Sequence, residues 1–549
     1  MQRVPDDILL EIASYLEAPH QVLPLSLTAS TFISSRCTFR ALVPALYAHL
    51  TLDGAAQCIR TLDMLYHHPS RARRVRSLCV RADSHERVPM RSPWIRRAPH
   101  DGYGVSAAVR RTATYLEILQ RFSWEGEELP PYDDMWFALR VFCPSLKYIG
   151  ACLGSMLPSP NSHLFDFADL HGFSLCFKSG FYWQYEGVTR DEAVPGYHRL
   201  WDMLIKRCPN LQELTLDGFA PHDPVDAHRL TRGRWPALRT LTLGDVVVDW
   251  HTHVNASVRR PFLAFLEAHR ALADLRLLGH EQSVAAPALL TDVHADALAR
   301  VEHFAGALEQ LAGFQHKARL RTLAVPDAIV LREVTPLTVS GALGALHNLA
   351  SLTIAFRVEH VSDNGGILRA IVAACPQLEQ LDFTCACKPS FTLDTFSKTI
   401  RGLSKLRTLA LRIVKSHAED TLPECGARLA RSNPRLRMFT LEFLARSVAP
   451  PTRAAPVRVV ARATFELTAD HHGLPVALRV AERRRRALWR AGTVVQHSVV
   501  EMRPAGYPGT RRAGLGLLLV EHSPAGEEAR LLCFCGMLLV AALWGCWTF

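Results

Sequence analysis

A six-residue pattern returns along most of this 549-residue chain: an apolar residue, two variable ones, an apolar residue, one variable and an apolar residue. The clearest copies are LQELTL from Leu211, LRTLTL from Leu238, LADLRL from Leu272, LRTLAV from Leu320, LASLTI from Leu349, LEQLDF from Leu378, LRTLAL from Leu406 and LRMFTL from Leu436. Weaker copies start at Val75, Leu119, Leu146 and Leu170. The last five clear copies follow one another at intervals of 29, 29, 28 and 30 residues. A period of this length marks a stacked array, because one repeat cannot enclose a core and each must be buried by its neighbours.

Within a repeat, the alternation predicts one short strand, and the stretch before it predicts a helix that covers the outside. Ahead of Leu378, residues Ile367, Ile371 and Ala374 share a helical face, and Cys375-Pro376 then ends the helix because proline cannot continue it. Cys143-Pro144, Cys208-Pro209 and Asn433-Pro434 repeat the device. A small thiol at such a corner is a packing residue and is expected to be inert. Strands stacked in parallel beneath a layer of helices give an α/β fold, a solenoid with a curved parallel sheet and outer helices. Composition agrees: 48% of residues are hydrophobic and 21% charged, which leaves little room for long disorder. The longer intervals 171–210 and 279–319 are expected to hold inserted loops. In the first, Phe181-Tyr182-Trp183-Gln184-Tyr185 either anchors a contact or packs on a neighbouring repeat.

Across about residues 70 to 445 these repeats resemble leucine-rich repeats of the cysteine-containing and ribonuclease-inhibitor-like kinds. They lack the Asn that usually follows the strand, which implies irregular loop packing.

Ahead of the array, Pro5 and Asp6-Asp7 suit a helix start, and Ile8, Leu9, Ile12 and Leu16 line one side of the helix. A second apolar segment runs from Val22 to Leu27, and a third from Phe39 to Tyr47. Three such helices have little core of their own and want a partner or the following domain; a plain helical cap of the array would use the same stripe. VPDDILLEIASYL, LPLSLTASTF and ALYAHLTL together resemble the F-box. That resemblance implies a small all-α hook that inserts Pro5, Ile8, Leu9, Ile12 and Leu16, with Leu25 and Leu27 from the second helix, into a Skp-type adaptor joined to a cullin and a RING subunit. Val4 stands where Leu is commoner, and Pro24 interrupts the second helix. The hook-then-repeats order is similar to that of fungal F-box proteins with degenerate leucine-rich repeats, whose part in a ubiquitin ligase complex is to bind an unknown protein target for degradation.

The formal charge is +11, but the basic residues are scattered. The dense run Arg483 to Arg486, near Trp489, is expected to be a solvated helix face, so nucleic acid is not an expected partner. No CxxC pair occurs among the 14 Cys, and His471-His472 lacks a third ligand, so neither metal nor cofactor is expected. No Walker loop, dinucleotide fingerprint, HExxH or nucleophile elbow is present, and the chain is not expected to be an enzyme. Arg3, Asp6, Asp7 and Glu11 stand where a secretory signal would be apolar, which predicts a cytoplasmic or nuclear, reducing location.

After Pro450, Pro451 and Pro456 the pattern breaks, and ATFELTADHHGLPVALRVAE and SVVEMRPAGYP suggest a few strands and a helix. The last 19 residues, from Leu531, carry no charge; as a helix they would span about 28 Å, close to the ~30 Å of a bilayer core. Two readings stay open: a tail anchor in an intracellular membrane, with Trp544 and Trp547 at an interface and Arg511, Arg512 and Arg530 flanking it, or a buried terminal helix. The expected organisation is a hook over 1–50, repeats over 51–445, a cap or small domain over 446–530 and the apolar tail over 531–549.

Overall fold

The computed structural model describes residues 45–82, 102–126, 128–154, 158–177, 197–218, 227–244, 261–278, 290, 293–294, 296–330, 336–344, 346–357, 365–385, 391–414, 421–445, 459–469, 475–485, 493–501 and 518–519. Mostly parallel strands alternate with helices, an α/β arrangement in two compact units. The first takes residues up to Val301 and 313–315; the second takes 302–312 and everything from His316 onward.

Every six-residue copy becomes a strand that starts two residues after its first apolar residue. In the first unit these are β2 (Ser77–Arg81), β3 (Arg121–Glu125), β4 (Tyr148–Leu153), β5 (Gly172–Phe177), β6 (Glu213–Asp217), β7 (Thr240–Leu243) and β8 (Asp274–Leu277). They follow β1 (His49–Asp53), and each pairs in parallel with the next. Register puts equivalent residues side by side, Leu214 on Leu241 and Leu241 on Leu275. All three are fully buried, as the inward half of a period-two pattern must be when only the neighbouring repeat can cover it.

The second unit opens with β9 (His303–Ala305) and continues in parallel through β10 (Thr322–Val330), β11 (Ser351–Arg357), β12 (Gln380–Cys385), β13 (Thr408–Val414) and β14 (Met438–Leu444). Here Leu352, Leu381, Leu409 and Phe439 form the stacked file. After β14 the chain turns antiparallel through β15 (Val459–Ala469), β16 (Pro475–Arg485) and β17 (Thr493–Glu501), with a two-residue β18 (Leu518–Leu519). Phe439 and Phe465 stack 4.7 Å apart across the change of direction. The helix above them needs a glycine, because a Cβ at Gly426 would lie 2.1 Å from the Phe465 ring.

Outer helices bury the faces their spacing predicts. In α1 (Ala55–His67) the buried residues are Cys58, Leu62 and Leu65. In α2 (Gly102–Thr112), Val105, Ala108 and Val109 are buried; in α3 (Asp134–Phe142), Met135, Trp136 and Leu139 are. Two further helices of this unit are α4 (His198–Asp202) and α5 (Pro261–Ala268). The second unit has α6 (Pro336–Leu343), α7 (Gly366–Ala374), α8 (Leu393–Ile400) and α9 (Leu422–Ser432). In α7, Ile367, Leu368 and Ile371 are buried while Ala374 is half-exposed. A capping box of Thr421 and Glu424 starts α9.

One corner recurs where helix gives way to strand. Cys143 and Cys375 N–H groups donate back to Leu139 and Ile371 carbonyls at 3.0 Å, and their own carbonyls accept from the Leu146 and Leu378 N–H groups. Burial pushes both thiols up to about 12, so almost no reactive thiolate exists near neutral pH. His269 fills the same corner after α5. Its Nδ1–H donates to the Phe265 carbonyl at 2.6 Å and its Nε2 accepts the Trp235 N–H at 3.0 Å. That pair of bonds requires a neutral ring. Burial lowers its pKa accordingly.

Three expectations change. The 279–319 interval contains a degenerate repeat, not only a loop: Val301, Phe304 and Ala305 are buried and β9 pairs with β10. Its strand is three residues long because Gly306 stands where the third apolar residue would be. A strand also precedes the first recognised copy, since Leu52 of β1 is buried beside Val80. Arg483 to Arg485 lie on β16 rather than on a helix face, because Leu478 and Val480 alternate inward and carry the strand on to Arg485. The segments after the strands, where the missing Asn is expected to leave irregular packing, lie mostly outside the described residues; the helix ends ahead of the strands are bridged between repeats. Arg401 Nε donates to the Ser432 carbonyl at 2.9 Å, Asn348 Nδ2 to the Ala318 carbonyl at 2.8 Å and Arg207 Nη1 to the Asp166 carbonyl at 3.1 Å. Neighbouring repeats thus satisfy the carbonyls that helix ends leave open.

His269 gives a pH prediction. Its folded pKa lies below the unfolded value of about 6.5, so the stability it contributes is present above that value and is lost as pH falls through the folded one. The loss approaches about 1.4 kcal/mol per pH unit. Asn433 fills the same kind of corner, donating from Nδ2 to the Leu429 carbonyl at 3.2 Å. His269→Asn is therefore expected to unfold in urea with a smaller loss of stability below about pH 6.5 than the parent chain, read from chemical denaturation at a series of pH values.

Candidate functional site

The inward residues of each strand make the core, so the variable positions between them make a second, open face. In the first unit this face is polar. On its row at the strand ends, Arg81 of β2 bonds Asp53 of β1 at 3.2 Å and Glu125 of β3 at 2.9 Å. The bond to Glu125 is the main reason the Arg81 pKa is raised further. Glu125 also accepts from the Cys79 Sγ at 3.2 Å, and burial followed by this bond pushes the Cys79 thiol up to about 12.

The row at the strand starts is bridged over a longer distance. Arg121 of β3 lies 4.0 Å from the Tyr148 ring centroid on β4 and reaches Glu213 of β6 at 3.3 Å. Between them stands Gly172 of β5, where a Cβ would come 2.2 Å from the Tyr148 ring. Absence of a side chain at 172 lets the ring lie across the strand and lets the guanidinium span to Glu213. On the strand-end row beyond Glu125, Cys152 and Cys176 are direct register partners on β4 and β5. The hydrogen bond between them and burial both raise the Cys176 thiol, which makes the pair a poor nucleophile.

In the second unit, opposite charges alternate across the open face. Arg412 of β13 donates to Asp382 of β12 at 2.7 Å and to Glu442 of β14 at 3.1 Å, and Arg462 of β15 meets Glu442 at 3.3 Å. Glu442 is buried, with 7% of its side chain exposed, and sits between two guanidinium groups. Burial raises the Asp382 carboxyl even though Arg412 pulls it the other way. Beyond Arg462 the row continues to Arg483 of β16, its register partner, which is exposed. Met438 and Val499, about half-exposed, lie on a further row of the same face, through Glu466 and Arg479.

A cavity of about 360 Å³ opens at the end of β4, floored by Trp136, Leu153 and Leu164 and rimmed by Asp133, Asn161 and Ser162. The Asp133 carboxylate at its rim already accepts the Ser162 hydroxyl and, at 2.9 Å, the His163 N–H. Among the described residues, no group of three or more His, Cys, Asp or Glu could hold a metal ion.

The adaptor-binding residues expected from the sequence, Pro5, Ile8, Leu9, Ile12, Leu16, Leu25 and Leu27, lie outside the described residues. So do the aromatic loop at 181–185, His471-His472 and the apolar tail 531–549. No helix among the described residues is long and apolar enough to cross a membrane. Sequence reasoning did not single out the open-face network; its only signal is parity, since Asp382, Arg412 and Glu442 all occupy variable positions flanked by inward apolar ones.

No protein-family model matches the chain, and no curated protein does either. Among solved structures, the Rad7–Elc1 complex of yeast is similar with a TM-score of 0.37 and 11% identity over 79% of this chain and 96% of that one. The glycosylated Toll–Spatzle complex of Drosophila is similar with a TM-score of 0.25 and 13% identity over 68% and 48%. These scores are too low to support any inference about function.

The charge ladder separates two neighbours on one face. Glu442→Ala removes the buried carboxylate that Arg412 and Arg462 share and is expected to cost about 1.5–3 kcal/mol. Asp382→Asn removes a carboxylate that burial already disfavours, and is expected to cost less than about 1 kcal/mol. Urea denaturation of the two variants checks the order; equal costs would show that the ladder is not coupled.

Proposed function

We propose that this chain is a substrate-recognition subunit of an SCF-type ubiquitin ligase, an F-box hook followed by a leucine-rich-repeat solenoid. In this reading Pro5, Ile8, Leu9, Ile12 and Leu16, with Leu25 and Leu27, engage a Skp-type adaptor, and through it a cullin and a RING subunit. The repeats hold a protein target so that one of its lysines stays near ubiquitin carried by another subunit. The chain contributes positioning and no bond chemistry of its own. Such a complex would work in the cytoplasm or nucleus.

The observation that carries the reading is order along the chain. A sequence pattern of apolar residues at helical spacing, with an F-box-like opening, runs to residue 47, and a ladder of stacked strands with an open polar face starts at His49. Pattern and ladder adjoin, as a hook and a receptor must.

A second reading rests on the uncharged run from Leu531 to Phe549: a membrane-tethered repeat scaffold without a ubiquitin role. Deleting residues 531–549 would release such a protein from the membrane fraction, whereas a receptor without an anchor would fractionate unchanged.

Co-purification with the adaptor tests the first reading. Ile12→Asp with Leu16→Asp would place two carboxylates in the apolar contact at a cost of several kcal/mol, on the order of 4 or more, so the adaptor is expected to be lost. Retention of the adaptor by the double variant would contradict the hook.

A further inference from the structure

We propose that the second unit carries, on the edge where its parallel strands begin, a docking groove for an acidic extended segment of a partner protein. The residue just before each strand is fixed on this edge by its own carbonyl, which accepts from the next repeat. The Arg321 carbonyl takes the Ala350 and Ser351 N–H groups at 2.8 and 2.9 Å, and the Glu379 carbonyl takes those of Arg407 and Thr408 at 2.8 and 3.0 Å. Their side chains are thereby held at strand spacing, about 4.8 Å.

Five exposed cations stand along this edge: Arg319, Arg321, Lys405, Arg435 and Arg437. A groove of about 500 Å³ is lined by three of them, Arg319, Arg321 and Lys405, with Glu302 and Glu379 as the acidic lining among the described residues; Arg435 and Arg437 continue the edge in the next repeat. Arg321 meets Glu302 only loosely, at 3.9 Å with both side chains more than half exposed, a pairing worth little in water. Among the described residues, the Lys405 and Arg437 side chains make no hydrogen bond or ion pair. The groove therefore offers positive charge that its own carboxylates do not neutralise, in a chain whose formal charge is +11.

The lining favours a peptide over a nucleic acid. Asn348 and Gln377 present amide groups suited to the N–H and C=O groups of an extended backbone. Among the described residues no aromatic ring lines the groove, so a base would find no surface there to stack on. Glu302 and Glu379 interrupt the cations and would repel a continuous run of phosphates, while an acidic peptide can place neutral residues opposite them. As the target chemistry of a ubiquitin-ligase receptor, the proposal rests on the function proposed above; the binding itself needs no adaptor.

The test uses the full chain without adaptor and a fluorescent peptide of alternating glutamate and serine, followed by anisotropy. Saturable binding that weakens as salt rises is expected. Lys405→Glu with Arg321→Glu should weaken it at least about tenfold, with circular dichroism unchanged, and Lys405→Arg with Arg321→Lys should retain it. Absence of saturable binding, equal affinity in parent and charge-reversed chains, or tighter binding of a single-stranded RNA of equal charge would each overturn the proposal. Adaptor co-purification is read separately, so loss of the hook leaves this outcome intact.

Discussion

A strand with two inward leucines has no way to hide them by itself. Leu241 is dry because Leu214 and Leu275 flank it in register, and Leu381 because Leu352 and Leu409 do. Each such side chain contributes roughly 1.5–3 kcal/mol when fully buried, but the contribution exists only while the neighbouring repeat is in place. Stability in an array of this kind is a property of interfaces between repeats. The remaining features make those interfaces regular or use the surface they leave open.

Regularity is set at the corners. Cys143, Cys375, His269 and Asn433 differ in chemistry, yet each ends a helix by donating its N–H back to the preceding turn and turns the chain toward the next leucine. Burial of the two thiols explains why a cysteine serves there without reactivity. His269 and Asn433 add side-chain hydrogen bonds to the same corner. Arginine and asparagine side chains from adjacent repeats cover carbonyls at the helix ends. The array ends differently, by reversal: β15 pairs antiparallel with β14, and Phe465 packs on Phe439 where a further parallel repeat would have stood.

The strands of the array were legible because six residues suffice to show a period-two face and because the period recurs. β9 escaped notice for the converse reason, with Gly306 removing the third apolar position of an already short copy. The Arg483 run was misread because a charge cluster carries no periodicity; the alternating Leu478 and Val480 just before it decide the matter. On the open face almost nothing was legible. Arg121, Tyr148 and Glu213 lie up to 92 residues apart in sequence and meet only through register, and register is set by stacking, not by any local pattern. Adaptor contacts rest on an N-terminal pattern alone, whereas the charged edge near Lys405 and Arg437 emerges only when successive repeats are laid side by side.

Hydrogen–deuterium exchange on the full chain probes the stacking most directly, because ladder amides exchange only when neighbouring repeats separate. Slow exchange should recur at the repeat period, in segments such as Glu213–Asp217, Ser351–Arg357, Gln380–Cys385 and Thr408–Val414, with faster exchange between them. Leucine hexapeptides that exchange as fast as the connecting segments, or protection in blocks unrelated to that period, would contradict a core built by repeat on repeat.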